Sequence, residues 1–377
     1  MIEVQDIFSQ YGDDFLRGHT LNSVQAKAFR DILRCRTSAL GGHTYVCDKC
    51  GHQEISYNSC RNRHCPKCQT IAKEQWIDKQ SQNLLDIPYF HAVFTLPDDL
   101  NPIMYQNQDT MYNLLFKTAT GTLMELSDDR KYLGATPGIT AVLHTWGQNL
   151  LYHPHIHFIV TGGGLTSSNE WVNSREKFFI PVKVLSAKFR GKFMAALRTT
   201  KLNFFNDMAD LESPASFNTF VSLLYGRDWV TYCKPPFKSP SKVISYLGRY
   251  THRVAISNNR ILRCGGGLVT FSWRDYKDAN KVKEMTITAV EFIRRFMLHI
   301  LPSGIRKIRH YGLMAPRNKA ERIELCRSLI SPDGCLYPSS APRSVVEILQ
   351  DTFGVDFNKC SCCGIGHLHC ASAPKAT

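Results

Sequence analysis

The sequence predicts an α+β protein with metal-binding modules at both ends. Three observations carry this. Short strand-like runs bounded by Gly and Asn turns alternate, without a repeat, with longer helix-like runs. Fourteen cysteines fall mainly into two clusters, six between Cys35 and Cys68 and four between Cys360 and Cys370. Three histidines, His153, His155 and His157, stand two apart in YHPHIHFIVTGGG, a spacing that places side chains on one face of a strand.

The elements follow in order. LNSVQAKAFRDIL (Leu21–Leu33) has helical periodicity behind an Asn22 or Ser23 cap. The first cysteine cluster comes next, and a polar helical stretch, TIAKEQWIDKQSQNLL, separates it from the strand FHAVFTLP. ITAVLHTW, HIHFIVTG, DWVTYC, VAISN, GLVTFSW and EMTIT read as further strands, and KVISYLGRYTHR and AVEFIRRFMLHIL as helices. Beyond about Ala315 strand signals thin out, and the chain reaches CSCCGIGHLHC. This divides it into a helical, zinc-binding region over 1–82, a catalytic region over 88–314 and a region over 315–377 with a possible second zinc module.

At 377 residues the chain can bury a substantial core. No long apolar run suggests a membrane span, and the charged start lacks a signal-peptide core, so a cytoplasmic protein is expected. Lys and Arg number 46 against 32 acids, a net charge of +14 that favours a polyanionic partner, nucleic acid first.

Disulfides rarely persist in the cytosol, so clustered cysteines point to metal. Cys47-x2-Cys50 and Cys65-x2-Cys68 together supply the four thiolates of a structural zinc site. Cys35, His43, Cys60 and His64 form either a second, interleaved Cys2His2 site or ordinary surroundings of the first. Cys360 and Cys363, with His367, His369 and Cys370 nearby, have the ligand types for another site, though Cys362 makes the register ambiguous. Arg61, Arg63, Lys67 and Lys73 add charge that suits either a nucleic-acid-reading module or a solvated face. Cys233, Cys264, Cys326 and Cys335 read as isolated thiols.

An open site of two or three imidazoles suits a divalent ion that also binds substrate oxygens. The His-Glu-x-x-His of a zinc protease and the His-x-Glu with Pro-Cys-x-x-Cys of a deaminase are both absent. Tyr246 and Tyr250 are four apart, one turn above the other on a helix, with Arg249 and Arg253 one step round. Alone, such tyrosines are packing residues. Beside arginines and a histidine site, a phenol can attack a phosphodiester while guanidinium groups neutralise the phosphate oxygens. For a third metal ligand His153, His144 and Gln148 all qualify by type, and Pro154 interrupts the strand next to His153. No phosphate-binding G-x-x-x-x-G-K-[ST] is present, so unwinding falls to host proteins or torsional stress. Gly162, Gly163 and Gly164 suit a turn or a close approach to DNA.

His155-Ile-His157 matches the His-hydrophobe-His motif of the HUH single-strand endonucleases, and Tyr246-x3-Tyr250 looks like their two-tyrosine subgroup. CRNRHCPKCQ, HTWGQNLLYHPHIHFIVTGGG and YLGRYTHRVAISNNR, in that order, resemble rolling-circle transposases of the insertion sequence ninety-one type. The resemblance covers nearly the whole chain and weakens after about Met314. It implies a central antiparallel sheet with the histidine motif on a middle strand and the tyrosines on a covering helix. It further implies Mg²⁺ or Mn²⁺ on His155 and His157, and Tyr246 and Tyr250 as nucleophiles. The activity implied is nicking of single-stranded element ends, with a 5′-phosphotyrosine link, a released 3′ hydroxyl and later rejoining, aided by host replication or helicase proteins. Two other readings stand beside it: a plasmid replication initiator or relaxase with the same chemistry, and a non-catalytic zinc-ribbon regulator.

Overall fold

The chain opens with two amphipathic helices, α1 (Val4–Gly18) and α2 (Ser23–Arg34), in a computed structural model that describes residues 1–175, 180–227, 229–237, 242–243, 248, 255–275, 278–331, 342–354 and 356–372. Asn22 caps α2: its side chain accepts from the Gln25 N–H, and the Gln25 side chain accepts from the Asn22 N–H. A hairpin of β1 (Gly42–Cys47) and β2 (Gln53–Tyr57) leads to α3 (Pro66–Ser81), which has proline at its first position. Next come β3 (Tyr89–Thr95), α4 (Asn101–Gln106), α5 (Gln108–Asp128), β4 (Thr136–Trp146), β5 (Tyr152–Leu165) and β6 (Trp171–Asn173). Helices α6 (Val182–Thr199) and α7 (Pro214–Tyr225) precede β7 (Thr231–Phe237), β8 (Ile261–Gly265), β9 (Leu268–Asp275) and β10 (Lys281–Thr288). The described chain finishes with α8 (Ala289–Met297), β11 (Ile308–Gly312), α9 (Lys319–Ile330), α10 (Val345–Phe353) and β12 (Leu368–Ser372).

Strands β11-β4-β5-β3-β7, with β6 on β5, form one antiparallel sheet. Alternation gives it two unlike faces. Phe90, Ala92, Phe94, Ala141, Leu143, Ile156, Phe158 and Val160 point one way, into a core shared with Leu115 and Phe116 of α5 and Phe189 and Phe193 of α6. His91, His144, His155 and His157 have the opposite parity. Burying one such large apolar side chain is worth about 1.5–3 kcal/mol, so a one-residue slip that exposed the whole set is excluded.

A second core joins α1, α2, α8 and the sheet β10-β9-β8. Phe8 stacks on Phe29 at 5.0 Å and meets Phe296 edge-on at 5.3 Å. A smaller cluster holds Leu84, Leu85, Tyr89, Ile159, Val243, Leu313 and Cys326. Strand β12 pairs with β1, so the Cys/His-rich C-terminal segment adds a third strand to the N-terminal hairpin and is not a zinc module of its own.

VAISN is not a strand over its described residues. Ala255 and Ile256 are buried in a bend, and Asn258–Arg260 form a 3-10 turn whose Asn258 side chain accepts from the Val4 N–H. In KVISYLGRYTHR, Lys242, Val243 and Gly248 are helical, whereas Tyr246, Arg249, Tyr250 and Arg253 lie outside the described residues. Gly162, Gly163 and Gly164 let neighbouring chain approach within the sheet: side chains there would collide with Pro88, Trp171 and Thr136. All three are buried. Among the described residues no helix is long and apolar enough to cross a membrane.

Candidate functional site

The histidine face of the central sheet gathers His144, His155 and His157, one ligand nitrogen from each lying within 4.8 Å of the others. Register explains the meeting. His144 on β4 pairs directly with His155 on β5, and His157 follows two residues on. His155 Nε2 and His157 Nε2 stand 3.1 Å apart. An octahedral ion that holds nitrogens at about 2.1 Å separates neighbouring ligands by about 3 Å, so the pair fits.

The remaining ring nitrogens are held from behind. His155 Nδ1 donates to the carbonyl of His153 at 2.7 Å, which leaves the Nε2 lone pair of the neutral ring facing the cluster. Burial, reinforced by the neighbouring His153, pushes the His155 pKa down to about 4, so the ring is neutral near pH 7. His157 Nδ1 lies 2.9 Å from Nε2 of the fully buried His91 on β3. When His157 donates across that contact, its Nε2 is the unprotonated ring nitrogen and can ligate. His91 is absent from the sequence reading because its relation to His157 depends on the β3–β5 register, in which His91 opposes Ile159 on the histidine face.

His153 does not join the cluster. Between the pairs His144–His155 and Trp146–Tyr152, β5 spends one more residue than β4, a bulge at His153–Pro154. The bulge breaks the alternation, and His153 turns to Asp98, with Nδ1 3.1 Å from its Oδ1. His144 takes its place. Gln148 contributes its backbone carbonyl to Arg260.

The cysteines sort differently from the sequence expectation. Cys47, Cys50, Cys65 and Cys68 do not share one site. Cys65 and Cys68 converge with Cys35 and Cys60, while Cys47 and Cys50 converge with Cys360 and Cys363. The reason is that β12 closes on β1 and brings the distant pair to the first knuckle. Sulfur separations are 3.6 Å for Cys35–Cys68 and Cys60–Cys68, and 3.7 Å for Cys47–Cys363 and Cys50–Cys360. A tetrahedral zinc with about 2.3 Å bonds separates its sulfurs by about 3.8 Å, so both sets fit. Backbone N–H groups point at the sulfurs, Lys49 to Cys47 and Gly366 to Cys363. Those of Ile365 and Gly366 hold the Cys363 thiol down to about 6.

His43 sits opposite Ser56 in the hairpin, outside both four-cysteine sets. His64 is buried and accepts from the Leu301 N–H at 3.0 Å, and burial followed by the Arg63 charge pushes its pKa down to about 3. Both are therefore removed from the zinc ligand set. Much of the basic decoration is also structural: Arg63 donates to the carbonyls of Leu301, Pro302 and Ile305, Lys67 pairs with Glu3, and Lys73 pairs with Glu74.

Residues 7–96 match the family described as "Transposase zinc-binding domain", and residues 138–322 the family described as "Putative transposase". A protein of Sinorhizobium fredii named "Putative transposase y4qJ" is 43% identical over 376 residues, covering 97% of this chain and 94% of that protein. "Transposase for insertion sequence element IS801" of Pseudomonas savastanoi pv. phaseolicola is 27% identical over 368 residues, covering 95% of this chain and 86% of that protein. No solved structure matches the chain.

Two four-thiol sets lead to a count. Purified protein should carry about two zinc ions per chain, and Cys360→Ser should carry about one while keeping the Cys35–Cys60–Cys65–Cys68 ion. Elemental analysis and thiol titration check this; two full equivalents retained by Cys360→Ser would show that the distant pair holds no metal.

Proposed function

The chain belongs to the IS91 family of transposases, with the N-terminal zinc-binding domain of that family, and from this premise we propose that it cuts and rejoins single-stranded DNA at element ends through tyrosine chemistry. The observation that carries the reading is the convergence of His144, His155 and His157 on the face of the sheet opposite its packed core. Three imidazoles that converge in this way suit a divalent ion acting on a phosphodiester.

Tyr246 and Tyr250 are the proposed nucleophiles, with Arg249 and Arg253 on the phosphate oxygens. In the first step a tyrosine oxygen bonds to phosphorus and the bond from phosphorus to the 3′ oxygen breaks. The phenol proton is lost, and the departing 3′ oxygen ends as a hydroxyl. The reverse reaction at a target hydroxyl rejoins the strand. Two tyrosines allow two such links in succession, as rolling-circle transposition requires. Mg²⁺ or Mn²⁺, when bound, supplies Lewis-acid polarisation of the scissile phosphate. His144, His155 and His157 would hold it, and His91 would fix the ring of His157. Three nitrogen donors without a carboxylate favour Mn²⁺ over the harder Mg²⁺.

Strand nicking should therefore reach half its maximal rate at lower Mn²⁺ than Mg²⁺ concentration. His144→Ala should raise the metal requirement by about tenfold or more, the loss expected when one of three ligands goes. Metal titrations of nicking check both, and a His144→Ala variant with an unchanged titration would remove His144 from the site.

For the tyrosines, Phe keeps the ring and removes the attacking oxygen, so folding survives while chemistry fails. Tyr246→Phe/Tyr250→Phe should form no covalent adduct with a single-stranded element end, scored as a denaturant-resistant band on a gel. Adduct formation by that variant would end the phosphotyrosine reading.

A further inference from the structure

Helix α3 has an unusual composition for its place in the fold. None of its sixteen residues is fully buried, and its apolar residues do not gather on one face. Such a helix has little packing of its own to hold it. It is instead pinned at its ends. Cys65 and Cys68 at its start belong to a four-thiol zinc set, and the adjacent Arg63 donates to the Leu301, Pro302 and Ile305 carbonyls. Toward its other end Arg343 forks onto Asp78, with Nη2 2.8 Å from Oδ1 and Nε 3.0 Å from Oδ2, and reaches Glu74 at 3.3 Å.

Between the pins α3 meets Gly248. A methyl group built on this buried, helical glycine would overlap Cδ1 of Ile77 and stand 3.0 Å from its Cγ1, with Lys73 Cε at 3.8 Å. Glycine inside a helix costs about 1 kcal/mol relative to alanine, and the missing side chain is what lets α3 come this close. In sequence Gly248 is two residues from Tyr246 and two from Tyr250. Five residues earlier, Val243 is buried with Tyr89 and Ile159, on the strands that carry His91 and His157. Val243 is thus held by the central sheet and Gly248 by α3.

We propose that α3 is a strut, fixed at one end by its four-cysteine zinc site, that sets the tyrosine-bearing segment against the histidine site by seating Ile77 on Gly248. Ile77 and Gly248 are positioning residues, and the zinc-binding region takes part in aligning the nucleophile. This rests on the reading of Tyr246 and Tyr250 as nucleophiles.

The test measures single-turnover adduct formation with a saturating single-stranded element end and Mn²⁺. Gly248→Leu should slow it by about a hundredfold, the effect of roughly 1 Å of misplacement, with zinc content and DNA affinity unchanged. Gly248→Ala should be milder, because the end of the Ile77 side chain can turn aside. Ile77→Ala placed in the Gly248→Leu background reopens the space and should recover about tenfold or more of the rate. Ile77→Phe, at a partly buried helix position, overfills the same contact from the other side and covers the case in which Gly248→Leu does not fold. A wild-type rate in Gly248→Leu or in Ile77→Phe overturns the strut, as does a slow Gly248→Leu that Ile77→Ala fails to correct. Tyr246→Phe/Tyr250→Phe is run in parallel. Adduct from that variant overturns the nucleophile reading itself, whereas its inactivity beside a fully active Gly248→Leu overturns only the strut.

Discussion

The histidine face depends on the pairing of β4 with β5. His144 reaches His155 because the two strands are in one register, and that register is held by the apolar parity on the reverse side, where Leu143, Ile156 and Phe158 pack against α5 and α6. A shift by one residue would send the imidazoles into the aromatic core and the phenylalanines into the site. The hydrophobic effect, acting on one face of the sheet, thus aligns the three imidazoles on the other. The same parity puts His91 behind His157 from β3. The single extra residue at His153–Pro154 ends the alternation just where a fourth imidazole would otherwise crowd the cluster.

The two four-thiol sets divide the labour differently from neighbouring knuckles that share one ion. One binds the start of α3 to α2 and the loop between the hairpin and α3; the other binds the hairpin to the C-terminal segment. The first fastens elements that share little other packing and the second backs the β1–β12 pairing, and in both metal affinity is folding energy. Around the first set, Arg63 and His64 satisfy carbonyl and N–H groups beyond α8. Their charge and ring nitrogens look like DNA or metal contacts in the sequence, and they are internal fastenings in the fold.

Local features were the legible ones. β3, β4, β5, β9, β10, α2 and α8 stand where their periodicity predicts, because each buries a face that its own residues specify. The convergence of His155 and His157 follows from their spacing alone. What could not be read depends on partners distant in the chain. His144 had only its type to recommend it, His91 had no signal at all, and the choice of knuckle partners waited on a strand pairing across the whole protein. VAISN has strand composition, yet of its described residues Ala255 and Ile256 are buried in the second core and none lies in a strand. His153 was misleading because one inserted residue undoes an alternation that is otherwise intact.

The closure of β12 onto β1 also sets an order of events during synthesis. Cys50 and its sulfur neighbour Cys360 are 310 positions apart. At roughly 5–20 residues per second, a ribosome needs about 15–60 s to travel from one to the other. For that interval the emerging hairpin holds two of its four thiolates, and the β1 edge that will carry Leu368–Ser372 has no strand beside it. A contact of such long range forms late in any case, since loop closure must precede it. The nascent protein therefore exposes an open sheet edge and a half-built metal site until its own C-terminal segment leaves the ribosome and covers both.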